Sequence, residues 1–330
     1  MYDVNKIRAD FPILSRNVNN KPLVYLDNGS SAQKPKVVID AVSKAYSEEY
    51  SNVHRGLHTL SNLATDNYES VRGKIQNFLG ADHPEEIIFN SGATEGINTV
   101  SYSWAVPNLK AGDEIILSIM EHHANIIPWH FLRERQGVVI KWVETDENGD
   151  LDAQAVIDAI NPKTRLIAIT QMSNVLGTVV DVKEICRVAQ ENNIVTLIDG
   201  SQSSVHLPIN VKDIGCDFFV ITGHKLYGPS SSGALYARKK RHEEMINFMG
   251  GGDMIKIVER DHVTYNISPH RFEAGTPGIV QMIGLGAAID YMQEIGTDHI
   301  AKHETSLRDY ANTKLSNLDF LNIQGNSVNK

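Results

Sequence analysis

Cysteine is nearly missing from this chain of 330 residues: only Cys186 and Cys216 occur. Two thiols without metal-ligand spacing make neither a disulfide framework nor a zinc site, so a hydrophobic core must hold the fold. No apolar run reaches the roughly 18 residues of a membrane span. The first ten residues carry charges where a signal peptide would have an apolar stretch, so a cytoplasmic protein is expected. Positive charge is in deficit, 31 Lys and Arg against 40 Asp and Glu, for a net charge of −9. That balance excludes an anionic-membrane or nucleic-acid surface and points to small molecules or proteins as partners. Repeats, low-complexity tracts and Gly/Ser/Pro-rich linkers are absent too, so the body should form one continuous domain.

What is present is alternation. Apolar runs bounded by turn residues read as strands at 86–89, 114–119, 138–143, 165–170, 194–198, 217–222 and 233–237. Several are apolar throughout, as in strands covered on both faces. Helical spacing occupies 35–50, 63–79, 94–104, 125–136, 152–160 and 182–192, with Gly80 and Gly137 as stops. Strand and helix in alternation predict an α/β fold with a mostly parallel sheet, whose ligands bind beyond the carboxyl ends of the strands. Further helices are expected at 281–295 and 298–318, and a short strand at 320–323.

The chemistry should therefore lie in the loops after strands. The run 217–222 ends in Thr222-Gly223-His224-Lys225. A surface lysine is the plain reading of Lys225. Its neighbours suggest another: Thr222 and His224 can reach a phosphate, and Gly223 lets the backbone approach a ligand. A lysine desolvated in such a pocket can form a Schiff base. Asp199 ends another apolar strand, either as a helix cap or as the carboxylate that keeps a pyridine ring protonated. Gln202 can donate to a cofactor's phenolate oxygen or simply be solvated. Ser91-Gly92-Ala93-Thr94-Glu95-Gly96 opens a helix after a strand, a geometry suited to phosphate. His122 or His123, after a further strand, can lie flat over a ring. A metal reading of His122, His123 and His130, or of His54 and His58, lacks carboxylate or cysteine partners at metal spacing and is the weaker one.

The wording of these loops makes the pattern specific. Asp27-Asn28-Gly29-Ser30-Ser31-Ala32-Gln33-Lys34-Pro35, Val53-His54-Arg55-Gly56-Leu57-His58, Thr94-Glu95-Gly96-Ile97-Asn98, the segment 120–129, Ser173-Asn174-Val175-Leu176-Gly177-Thr178 and Arg271-Phe272-Glu273-Ala274-Gly275-Thr276-Pro277 resemble the Suf-type (group II) cysteine desulfurases. These are class V, fold-type I enzymes dependent on pyridoxal phosphate (PLP). The resemblance implies that Lys225 carries PLP, Asp199 faces the ring nitrogen, His122 stacks on the ring and Gln202 meets the phenolate oxygen. Ala93, Thr94, Thr222 and His224 would lie at the phosphate. Thr276 would reach the phosphate of a partner subunit's cofactor, which implies a homodimer. Asn174 and His54 would lie on the substrate side. The implied reaction moves sulfur from L-cysteine, leaving L-alanine, to an enzyme cysteine as a persulfide, for a Suf-type acceptor protein that feeds iron–sulfur cluster assembly.

Three departures accompany the resemblance. Ser230-Ser231-Ser232-Gly233 is richer in serine than the family's glycine-containing loop, and Gly29 stands where alanine is usual. The third is larger. The family's nucleophilic cysteine loop and its substrate-binding arginine belong to a C-terminal domain that the 330 residues do not contain. The expected organisation is thus a PLP-binding large domain over 1–290 and the start of a truncated small domain over 291–330. Neither Cys186 nor Cys216 matches the nucleophile's loop. Two alternatives stand beside the desulfurase: a selenocysteine lyase or kynureninase-like enzyme of the same class, and a catalytically silent PLP-binding scaffold.

Overall fold

A computed structural model describes residues 2–325 and 327. An N-terminal hairpin, β1 (Asn17–Val18) with β2 (Lys21–Pro22), precedes the main sheet. That sheet holds β3 (Ile87–Asn90), β4 (Glu114–Ser118), β5 (Val139–Val143), β6 (Thr164–Thr170), β7 (Val195–Asp199), β8 (Phe218–Thr222) and β9 (Gly233–Ala237). All seven runs expected to be strands form it, in the order β3-β9-β8-β7-β6-β4-β5. Pairing is parallel from β5 through β8 and antiparallel on both sides of β9. A separate hairpin joins β10 (Ile255–Val258) to β11 (Val263–Tyr265).

The strands are apolar throughout because both faces of the sheet are covered. Along β8, Phe218 and Val220 enter one hydrophobic cluster and Phe219 and Ile221 the other, the two-residue period of a strand. Helices Thr59–Leu79, Val182–Glu191 and Ile279–Ile295 supply Tyr68, Ile75, Ile185, Leu285 and Ile289 to the cluster of Phe219 and Ile221. Ile97, Trp104, Trp129 and Leu132 cover the opposite face.

The expected helices all form, with shifted ends. Thr59–Leu79 starts four residues before the expected 63 because His58 accepts the N–H of Ser61 and caps it. Ile127–Gln136 starts later, since a 3₁₀ turn takes His123–Asn125. The expected strand at 320–323 does not form: after helix Thr297–Leu315 the chain makes a turn and runs on with no strand partner among the described residues. On that last helix only Ile300 is buried. Leu307 and Tyr310 of its apolar stripe are 53% and 64% exposed.

Candidate active site

Parallel pairing brings Thr170, Asp199 and Thr222, the last residues of β6, β7 and β8, to one edge of the sheet. Beyond that edge lies a cavity of about 540 Å³. Its lining includes Lys225, Asp199, His122, Ala93, Thr94, Thr222, His224 and Asn174. Eight of the eleven expected site residues, from five separate stretches of chain, therefore meet in one place.

Asp199 is buried, and its Oδ1 accepts both the N–H and the hydroxyl of Ser201, at 2.9 and 2.6 Å. These bonds close a local turn and use one oxygen; the helix that follows, Ser203–His206, has Gln202 at its N-cap, so Asp199 does not cap it. Burial pushes the Lys225 amine below the usual lysine range, with the Asp199 charge pulling the other way. Burial also lowers the His122 imidazole, helped by the Lys225 charge and opposed by Asp199. Nδ1 of His122 accepts the Ala124 N–H at 3.1 Å, so in the neutral ring Nε2 holds the proton. His224 is lowered by burial and by Lys225, Lys34 and His122.

The helix beginning at Ala93 follows Gly92, whose φ of +134° suits glycine alone. A Cβ there would stand 3.0 Å from Thr222 Oγ1. At Gly223 a Cβ would fall 2.0 Å from Ser232 Oγ. Both glycines bring backbone close to the corner shared by Ala93, Thr94 and Thr222.

Three expected residues lie apart from the cavity lining. Gln202 is buried behind it, its Nε2 donating to Gly29 O at 2.8 Å. Thr276 lines a separate cavity of about 180 Å³, which shares Ser91 and Glu95 with the main one. The structure does not bring His54 to the main cavity: its Nε2 meets Glu69 Oε1 at 2.9 Å and its ring lies 5.2 Å from that of His270. The ligand atoms of His54, Glu69 and His270 lie within 4.8 Å of one another. Both oxygens of Glu69 are, however, already bonded to Arg72, at 2.8 and 3.0 Å, which puts a positive charge where a metal ion would need none.

Sequence reasoning assigned no role to Leu26, Asp27, Gly29, Ser30, Ser201 or Glu95, which also line the cavity. The strap 26–34 is tied to the Lys225 loop by Ala32 N–H and Lys34 Nζ, each donating to His224 O at 3.0 Å. Burial pushes the Lys34 amine down to about 8. The one available signal was the strap's wording, which carried no chemistry by itself.

Residues 24–330 match the family described as aminotransferase class-V. The chain is also 46% identical to a probable cysteine desulfurase of Xylella fastidiosa, over 99% of its own length and 79% of that protein. It belongs to the cysteine desulfurases of the class-V aminotransferase family. Solved desulfurase structures agree with its fold. Cysteine desulfurase CsdA of Escherichia coli, in an S-sulfonic acid form, superposes with a TM-score of 0.89 at 34% identity, over 96% of this chain and 78% of that one. The apo enzyme of Thermococcus onnurineus NA1 gives 0.91 at 33% identity, over 96% and 77%. PLP is the cofactor of this family, and the cavity fits it. A half-buried amine of lowered basicity, a buried carboxylate and a glycine-opened corner beside a helix start are the three parts a phosphorylated pyridine aldehyde requires.

Proposed function

We propose that this chain is the cofactor-binding part of a Suf-type cysteine desulfurase. It would take sulfur from L-cysteine, release L-alanine and pass the sulfur, as an enzyme persulfide, to a Suf-type acceptor protein for iron–sulfur cluster assembly. The observation that carries the reading is the meeting of Lys225, Asp199 and His122 with Ala93, Thr94, Thr222 and His224 in one cavity.

In this reading Lys225 holds the cofactor and Asp199 pairs with its ring nitrogen. His122 lies over the ring, Gln202 serves the phenolate oxygen, and Ala93, Thr94, Thr222 and His224 receive the phosphate. Bound PLP supplies an electron sink that acidifies the α-carbon of an amino-acid substrate. The amine of Lys225, held below ordinary lysine basicity, takes and returns the α-proton. His122, with Nδ1 committed to Ala124, presents a fixed tautomer for proton handling. Asn174, and His54 from the rim, serve the substrate. Ser201 holds Asp199 in place, and the strap 26–34 closes the site against the Lys225 loop.

The thiol that accepts sulfur in this reading is neither Cys186 nor Cys216. Both are fully buried. Burial pushes the Cys186 thiol up to about 12 and that of Cys216 well above its usual range, the reverse of what activates a nucleophile. Residues 291–330 would begin the small domain that carries the nucleophile, consistent with relatives of which this chain spans 79–80%. The exposed Leu307 and Tyr310 would pack inside that domain. Thr276 would act on the cofactor of a partner subunit in a homodimer, and the protein would be cytoplasmic. Among the described residues no helix is long and apolar enough to cross a membrane.

Borohydride reduction of the PLP-loaded chain should fix the cofactor on Lys225. An adduct on another lysine, or none, would remove the assignment. Alanine formation from cysteine, rather than product from selenocysteine or kynurenine, by a chain extended to the length of its relatives tests the substrate.

A further inference from the structure

Glu121 stands next to His122, yet none of the roles above uses it. Its carboxyl is buried. Ser118 Oγ donates to Oε1 at 2.6 Å and Asn125 Nδ2 to Oε2 at 2.7 Å. Oδ1 of Asn125 in turn accepts from Nε1 of the fully buried Trp129 at 3.0 Å. Ser118 Oγ also receives the Met120 N–H at 3.2 Å. One line of hydrogen bonds thus runs from the end of β4 through Glu121 to the helix Ile127–Gln136, inside the turn that carries His122. On that turn His122 O accepts the Asn125 N–H at 2.7 Å, and Nδ1 accepts the Ala124 N–H.

We propose that Glu121 is a positioning residue, clamping both ends of the 118–125 turn so that the His122 ring is held in one orientation and one tautomer. The inference rests on the reading of His122 as a residue of the cofactor cavity.

Below about pH 7 the clamp is uncharged. Burial is the main reason, and it pushes the Glu121 carboxyl up to about 7 against the donors that favour ionisation, with the Asp199 charge adding to the rise. Asp199 raises it from the end of β7, a backbone hydrogen bond from Thr170 of β6 lowers it, Trp129 brings no charge, and His122 and His123 flank it on its own turn. Lys225 acts from across the cavity on Asp199 and His122. A neutral Glu121 donates its proton to Ser118 Oγ, whose hydroxyl can turn to accept. The turn then stays closed without a second anion beside Asp199.

Two substitutions separate the clamp from its charge. Glu121→Gln keeps both bonds, its amide oxygen accepting from Asn125 and its amide nitrogen donating to Ser118. Glu121→Leu loses both. The sign of the pH effect follows from linkage. A carboxyl whose folded value lies near 7, against 4.5 ordinarily, binds its proton more tightly when folded, so stability is lost as pH rises through that interval.

The thermal midpoint of the full chain without PLP is therefore expected to fall between about pH 5 and 8 more steeply than that of Glu121→Gln, in step with the one group removed. Nitrogen-15 spectra of the imidazoles, with the His122 signal identified by His122→Gln, should show a single Nε2–H form in the native chain and in Glu121→Gln. Glu121→Leu should show mixed tautomers and bind PLP about tenfold more weakly, the low end for loss of a supporting partner. If Glu121→Leu does not fold, Asn125→Ala removes half of the clamp and should mix the tautomers likewise. Equal pH slopes in the native chain and Glu121→Gln would overturn the uncharged clamp. A single Nε2–H form in Glu121→Leu, or in Asn125→Ala, would overturn the positioning role. The tautomer and stability measurements need neither cofactor nor cysteine, so they fail or succeed apart from the desulfurase reading.

Discussion

Arg72 and Glu273 meet in a two-pronged ion pair, Nη1 to Oε1 at 2.7 Å and Nη2 to Oε2 at 3.0 Å, with both side chains inside the protein. The pair fastens the segment that ends in Thr276 to the helix Thr59–Leu79. Glu273 Oε1 also accepts the Phe89 N–H at 2.7 Å, and Arg72 Nη1 donates to Ile87 O. The edge strand β3, the long helix and the Thr276 loop are thereby one unit.

Removing one partner of a buried pair leaves the other charge without compensation. Glu273→Ala should cost about 3–5 kcal/mol of unfolding free energy, towards the lower figure because Arg72 keeps Glu69. Urea unfolding measures it, and a loss near zero would mean that the pair does not hold the unit together.

Acid should weaken the same network through Glu69. Burial opposes its ionisation, but hydrogen bonds from His54 and Arg72 and the charge of Arg72 outweigh burial and hold the carboxyl down to about 2. A depressed carboxyl stabilises above its ordinary value of 4.5 and loses that contribution as pH falls towards 2. Glu69→Gln should therefore lower the thermal midpoint at neutral pH and flatten its fall between about pH 4.5 and 2. Parallel curves for native chain and variant would show that Glu69 is not the titrating group.

Asp199→Asn preserves an oxygen for the two Ser201 donors and deletes the negative charge. PLP should be partly retained. Exchange of the α-proton of cysteine or alanine in heavy water should fall by about 10²-fold or more, the usual cost of removing one preorganised electrostatic group. Near-native exchange would take Asp199 out of the role given to it above.

For Thr276 the expectation is a composite site. The PLP-bound chain should sediment as a two-fold dimer at micromolar concentration. Thr276→Ala should keep the dimer and lose about 0.5–1.5 kcal/mol of PLP affinity, the worth of one ordinary hydrogen bond. A stable monomer with native affinity would contradict the shared site.

Much of this protein was legible in its residues alone, for a local reason. The period of apolar side chains depends on neighbours a few positions away, so seven strands and the helices between them could be read before any contact was known. Lys225, Asp199 and His122 were legible because each stands at the end of such a run, and parallel pairing sends all those ends to one edge. The strand expected at 320–323 failed because a strand needs a partner, and apolar composition does not supply one.

What the tertiary structure alone decided are the contacts between remote stretches. Lys34 bonds to the carbonyl of a residue 190 positions away, and Gln202 donates to Gly29 O, 173 positions away. His54, read as a rim residue from its motif, pairs with Glu69 because its backbone takes a left-handed turn (φ +70°) on the way into the helix Thr59–Leu79. Glu121 and Arg72 look like ordinary surface charges in sequence. Only the path of the chain buries them, and only burial gives one a raised carboxyl and the other two obligatory carboxylate partners. Periodicity fixes which face of an element is apolar. Desolvation and long-range pairing depend on which elements come to cover it, and that is settled by the packed fold.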